Sequence, residues 1–312
     1  MTKETPAVHW VMWGWTVPFP FKNLVFEGAG VRNCGYSGAL TALAERGIYG
    51  QVEKVAGTSA GSIVATLVAL GYSAEELRQQ MLDLDFAAIM DGSRWTAPFR
   101  LFSDYGLYKG DYFLAQMEEV VAKKTGDKRT TFAQMRAKGF KPLQIIGSNV
   151  TTRSIRVFPD EKTQDLAVAE AVRISMSIPL FFAARKLDGH YYVDGGVMWN
   201  YPIELFDTED RANPETLGFL MGVPEKDPNY PVHHLHDLIG GVFSSILSSE
   251  QTDIMNNPIQ MARSVWIDDL GIKATQFDIS QEQKLALMDS GAKATRAFLD
   301  KYEARATARV GG

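Results

Sequence analysis

The strongest constraint on this chain is a unit of strand, glycine turn and helix that occurs twice before residue 72. Asn23-Leu24-Val25-Phe26 is a short apolar run, and Gly28-Ala29-Gly30 follows it as a turn. Residues 36–46 then carry Leu40 and Leu43 at helical spacing and stop near Gly47. Residues 51–56 read as a second strand, followed by Gly57-Thr58-Ser59-Ala60-Gly61. Residues 62–70 are apolar all round, which predicts a buried helix capped by Gly71. Strands separated by helices pair in parallel, so the pattern predicts an α/β fold. The expected architecture is a mostly parallel central sheet flanked by helices, three layers α/β/α, with a helical C-terminal part. At 312 residues and 46% hydrophobic, the chain can bury a full-sized core.

The rest of the sequence extends this pattern. Residues 81–110 are less regular and rich in Phe, Leu, Met and Trp, as ordinary packing or an apolar pocket would require. Strands are expected at 143–150 and 154–158, and a helix at 167–175 that must end before Pro179. Residues 186–193 read as a hairpin turning at Asp188-Gly189 and running into Asp194-Gly195-Gly196. Further strands are expected at 216–223 and 265–267, and a helix at 236–249. Ser280 and Gln283 form a capping box opening a helix that runs to about residue 302. The expected organisation is an aromatic arm (1–21), a main α/β unit (22–207) and a mainly helical extension of the same domain (208–312). Trp10, Trp13 and Trp15 lie in the arm, ahead of Pro18 and Pro20. They fit an extended arm packed on the core, or a peripheral membrane anchor in the headgroup zone.

Composition excludes several classes. Cys34 is the sole cysteine, so there is no intrachain disulfide and no basis for a cysteine-built zinc site. No helical face carries metal-ligand spacing, and no metal or cofactor is expected. A net charge of −5 argues against nucleic acid as a partner. No apolar run approaches membrane-spanning length, and the N-terminus lacks the basic-then-apolar layout of a signal peptide. The expected location is cytoplasmic. The oligomeric state stays open.

Gly57 to Gly61 matches G-x-S-x-G between a strand and a helix. Such a turn exposes the Ser59 hydroxyl at a helix N-terminus, where free N–H groups favour developing negative charge. A serine needs a base. His233, His234 and His236 follow in α/β-hydrolase order but sit beside Pro228 and Pro231, as in a solvated loop. Asp194, between a strand and two glycines, is the other candidate base. Gly28-x-Gly30 also opens like a dinucleotide fingerprint, but position 33 is Asn and no acidic residue ends the second strand.

These pieces together resemble the patatin-like phospholipases, lipid acyl hydrolases that use a Ser–Asp dyad. The family's glycine-rich loop is similar to Gly28-Ala29-Gly30-Val31-Arg32, its elbow to Gly57–Gly61, and its D-G-[GA] motif to Asp194-Gly195-Gly196. Ala171 to Phe182, with Ser175, Ser177 and Pro179, resembles the segment before the aspartate, and Asn200 and Pro202 the Asn-x-Pro after it. The resemblance covers about residues 22–205. It implies that Ser59 is the nucleophile and Asp194 the base, that the N–H groups around Gly28, Ala29 and Gly30 form the oxyanion hole, and that Arg32 is the loop's basic residue. It implies a lipid substrate and an acyl-enzyme intermediate. Two positions depart from the family: Ala29 and Asn33 replace glycines. Ala29 would limit the backbone there, whereas Asn33 tolerates positive φ better than most residues. The rival expectations are a non-catalytic lipid binder, a Ser-His-Asp hydrolase and a nucleotide-binding module.

Overall fold

β1 (Asn23–Phe26) passes through the glycine turn into α1 (Cys34–Glu45), and β2 (Lys54–Thr58) through the serine turn into α2 (Ala60–Ala69). The computed structural model describes residues 19–92, 95, 97–222, 232–233 and 235–310. β2 begins later than the sequence predicts because a 3₁₀ turn, Tyr49–Gln51, occupies the approach to it. Helices α3 (Ala74–Asp83), α4 (Ala97–Ser103), α5 (Asp111–Thr125) and α6 (Phe132–Ala137) follow, with the short β3 (Gly106–Tyr108) between α4 and α5. Next come β4 (Leu143–Asn149), β5 (Ser154–Phe158), α7 (Val168–Ser175), β6 (Leu180–Phe182), β7 (Arg185–Leu187) and β8 (His190–Asp194). The chain closes with β9 (Thr216–Met221), α8 (Leu235–Met255), α9 (Pro258–Met261), β10 (Ser264–Ile267) and α10 (Gln281–Val310). Two helices absent from the sequence reading had local signals. Ser73 with Glu76, and Thr131 with Gln134, form complete capping boxes at α3 and α6.

The main sheet has the order β10-β9-β1-β2-β4-β8-β7, with β5 also pairing β4. β10, β9, β1, β2 and β4 are parallel, while β5 and β8 run antiparallel to β4. The C-terminal third therefore supplies two strands of the sheet as well as helices. Leu24 and Phe26 face one buried cluster and Val25 the other, so both faces of the sheet are covered.

β4 carries β5 along one edge, from Ile145↔Phe158 to Asn149↔Ser154. Its other edge is shared end to end. β2 takes Leu143 to Ile146, and β8 takes Gly147 to Asn149. The two strands run toward each other, so the C-terminal end of β2 meets the C-terminal end of β8 at consecutive β4 residues: Thr58 pairs Ile146, and Asp194 pairs Gly147.

α10 packs along α1, and the approach is close. A Cβ at Gly38 would lie 1.7 Å from the Met288 carbonyl oxygen, and one at Gly291 would lie 1.9 Å from the Gly35 carbonyl oxygen. The described end of the arm joins this contact: Phe21 is buried, with its ring 5.1 Å from that of Tyr302. Trp10, Trp13 and Trp15 lie outside the described residues. Among the described residues, no helix is long and apolar enough to cross a membrane.

The helix contact gives a stability prediction. Gly38→Val should lower the unfolding free energy by about 2 kcal/mol or more, because the added carbons must separate α1 from α10. Gly50→Ala, where a Cβ meets nothing within 4 Å, should stay within about 0.5 kcal/mol of the native chain in the same urea melts.

Candidate active site

Ser59 sits on the turn from β2 into α2 with φ 50° and ψ −130°, a left-handed conformation that a residue with a side chain rarely adopts. Such a backbone costs about 1–3 kcal/mol and persists only where its surroundings hold it. Here they do. A Cβ at Gly57 would lie 2.4 Å from the Gly61 carbonyl oxygen, and one at Gly61 would lie 2.5 Å from the Glu27 carbonyl oxygen. Strand, helix and glycine loop therefore touch backbone to backbone around the serine. The Ser59 N–H donates to the Ser175 hydroxyl (2.8 Å), which donates to the Ile146 carbonyl of β4 (2.6 Å).

The shared β4 edge delivers Asp194 to this serine. The Ser59 hydroxyl donates to Asp194 Oδ2 at 2.5 Å. Asp194 Oδ1 accepts from the Gly196 N–H (2.8 Å), and the Asp194 N–H donates to the Ser177 carbonyl (2.8 Å). Asp194 is fully buried and Ser59 is 3% exposed. Burial pushes the Asp194 carboxyl up to about 7, against the opposing pull of the Ser59 and Gly196 hydrogen bonds. The Met176 sulfur lies 3.7 Å from Ser59 Oγ and covers it.

The glycine loop crosses the serine: a Cβ at Gly28 would lie 3.0 Å from the Ser59 Cβ. The Gly28 N–H donates to the Asn200 carbonyl (3.2 Å) and is taken, contrary to its expected use as an open donor. No hydrogen bond among the described residues uses the N–H of Ala29 or Gly30. The Ala29 carbonyl accepts from Arg32 Nε at 3.2 Å, and the peptide plane carrying the Gly30 N–H is thereby oriented. Arg32 itself is fixed by Asp269, at 2.9 Å. Gly30 has φ +58°, and a Cβ there would lie 2.0 Å from the Ala274 carbonyl oxygen.

Both departures from the family pattern are accommodated. Ala29 has φ −132°, ordinary for any residue. Asn33 has φ −56°, so its tolerance of positive φ is not called on, and its Nδ2 donates to the Ala60 carbonyl (3.2 Å).

Neither described histidine side chain approaches Ser59 or Asp194 within hydrogen-bonding reach. His190 Nδ1 is 3.5 Å from Asn149 Nδ2, and His233 is exposed. His9, His234 and the His236 side chain lie outside the described residues. Among the described residues, no cluster of His, Cys, Asp and Glu could hold a metal ion. Sequence reasoning missed Glu27, Met176, Glu250, Gln251 and Asp269. Glu27 had a signal, a carboxylate directly after four buried strand residues.

The patatin-like phospholipase family model matches residues 24–207. The uncharacterized protein YqhO of Bacillus subtilis is 32% identical over 304 residues, spanning 89% of this chain and 98% of its own length. The probable lipid hydrolase 463L of Invertebrate iridescent virus 6 is 26% identical over 189 residues, 60% of this chain and 64% of its own. Among solved structures, VipD of Legionella pneumophila has a TM-score of 0.61 at 17% identity, covering 92% of this chain and 68% of VipD. ExoU of Pseudomonas aeruginosa, solved with SpcU, has a TM-score of 0.55 at 19% identity, covering 90% of this chain and 52% of ExoU. These two likenesses concern the fold.

The buried carboxyl gives a pH prediction. Asp194 titrates near pH 7 in the folded chain and near pH 4 when unfolded, so between those values the folded state holds the extra proton. Native stability therefore falls as pH rises through that window, and Asp194→Asn removes this contribution. Between pH 5 and 8 the variant should gain about 2 kcal/mol or more relative to the native chain in urea melts. A pH-independent difference would contradict the assignment.

Proposed function

Because the chain belongs to the patatin-like phospholipase family, we propose that it is a serine lipid acyl hydrolase working through Ser59 and Asp194. The observation that carries this reading is the 2.5 Å hydrogen bond from the strained Ser59 hydroxyl to a buried carboxylate, beside two backbone N–H groups with no partner among the described residues. Asp194 takes the hydroxyl proton as Ser59 Oγ attacks the ester carbonyl. The Ala29 and Gly30 N–H groups stabilise the oxyanion. Collapse breaks the bond to the alcohol, which leaves with the proton held on Asp194. Water then attacks the acyl-enzyme, its proton passes to Asp194 and on to Ser59 Oγ, and the fatty acid departs. A base near pH 7 suits this cycle, because it accepts and returns a proton at little cost.

Apolar side chains at the surface support a lipid substrate. Trp95, and Phe99 and Phe102 of α4, are exposed. α8 lies against the D-G-G turn, with Leu247 near Gly196, and exposes Leu238, Val242 and Ile246 along one stripe. Replacing Phe99 and Phe102 together by Asp should weaken binding to phosphatidylcholine vesicles in co-sedimentation while sparing turnover of a soluble short-chain ester.

The mechanism is tested by turnover of a chromogenic ester. Ser59→Ala and Asp194→Asn should each lose ~10⁴–10⁶ in kcat while folded by circular dichroism. Replacing His233, His234 and His236 together by Ala should leave most activity. The native rate should rise to a plateau through about pH 7 as the base ionises. Loss of activity in the histidine variant, with Asp194→Asn still active, would sink the dyad. A fluorophosphonate should label Ser59, which distinguishes an enzyme from a lipid-binding relative.

A further inference from the structure

Glu27 stands between β1 and the glycine loop, 1% exposed, and the mechanism above does not use it. Among the described residues, only donors end on it. The Met221 N–H meets Oε2 at 2.9 Å, and Gln251 Nε2 (2.7 Å) and Asn200 Nδ2 (3.1 Å) meet Oε1. That set suits an ionised carboxylate. Asn200 in turn holds Gly28 at both ends. The Asn200 carbonyl accepts from the Gly28 N–H, and Asn200 Nδ2 donates to the Gly28 carbonyl at 3.1 Å. The backbone of Asn200 is itself tied down: its N–H and that of Tyr201 donate to the two oxygens of Glu250 at 2.7 and 3.0 Å. Asn200 Oδ1 is buried with no hydrogen-bond partner among the described residues. It fills the space where a Cβ would stand, 2.2 Å from it at Gly28 and 2.7 Å from it at Gly196. The amide is therefore wedged between the loop of the oxyanion donors and the turn of the base.

The Gly28 carbonyl and the Ala29 N–H belong to one rigid, trans peptide plane and point in opposite directions. Fixing the carbonyl on Asn200 fixes the N–H. We propose that Asn200, held by Glu27 and Glu250, is a positioning residue that aims the Ala29 N–H at the oxyanion and keeps it in register with Ser59 and Asp194. Arg32 does the equivalent for Gly30 through the Ala29 carbonyl. The proposal rests on the acyl-hydrolase reading above.

The test compares Asn200→Ala, Glu27→Gln and Gln251→Ala in the whole chain, with active serine counted by end-point fluorophosphonate titration. A residue that only supports folding would lower the melting temperature and the titrated fraction, and leave kcat per titrated serine unchanged. A positioning residue should lower kcat per titrated serine about tenfold to 10²-fold in Asn200→Ala, with a smaller fall in Glu27→Gln. KM should stay within about threefold, and the pH midpoint should not move, since Asp194 is untouched. The rate of fluorophosphonate labelling should fall in parallel with kcat. A kcat per titrated serine within twofold of native in Asn200→Ala overturns the proposal. If that variant does not fold, Glu27→Gln and Gln251→Ala decide by the same criterion, Gln251 being only half-buried. Ser59→Ala is assayed alongside. Retained hydrolysis there overturns the acyl-hydrolase reading and this proposal together, whereas its loss beside an unchanged Asn200→Ala overturns the proposal alone.

Discussion

Everything at the site depends on one strand edge serving two partners. β2 and β8 end against each other on β4, at Ile146 and Gly147, and the residues that follow or close them are Ser59 and Asp194. No long side chain has to bridge a gap, and no histidine has to be interposed. The hydrogen-bond ladders of the sheet, which are stiff and cooperative, fix the separation of the two groups. The same edge explains the glycines nearby. A Cβ at Gly195 would lie 2.4 Å from the Ile146 carbonyl oxygen, so the turn after Asp194 fits against β4 only with glycine there.

A buried carboxylate beside a strained serine costs stability, and the surrounding polar groups offset part of that cost. Asp194 loses its hydration and gains hydrogen bonds from Ser59 and Gly196, which leaves it poised near neutrality. Glu27 is pushed up to about 7 by burial as well, with Met221 and Gln251 pulling the other way. Two carboxyls shifted in the same direction thus lie on either side of the glycine loop. One accepts from the Ser59 hydroxyl, and the other from the Asn200 amide. Met176 completes the enclosure by lying on Ser59 Oγ.

How much of this could be read from the chain depends on how local each signal was. The β-turn-α units, the hairpin at Asp188-Gly189 and the long C-terminal helix came from periodicity, turn chemistry and a capping box, all of which act within a few residues. The candidate dyad came from motif context and family resemblance. The shared edge of β4 was not legible, because its register joins residues far apart in sequence, Thr58 with Ile146 and Gly147 with Asp194. Nor were the contacts of Asn200, whose partners come from positions 27, 28 and 250. Asn33 shows the same limit: its tolerance of positive φ could be read from the sequence, but the 3₁₀ turn that begins at Gly30 keeps it right-handed and uses its side chain to hold the Ala60 carbonyl.

β1 lies between β2 and β9, and α1 is covered by α10. On the ribosome, the first strand and helix therefore emerge long before the segments that cover them. The glycine loop, made by residue 30, acquires Met221, Gln251, Asp269 and Ala274 as neighbours only near the end of synthesis. Contacts this distant in sequence close late in folding. A nascent chain can thus carry Ser59 and Asp194 while the Ala29 and Gly30 N–H groups remain unaligned. The order of translation therefore leaves the surroundings of Ser59 incomplete until the segment carrying Asp269 and Ala274 has docked on the glycine loop.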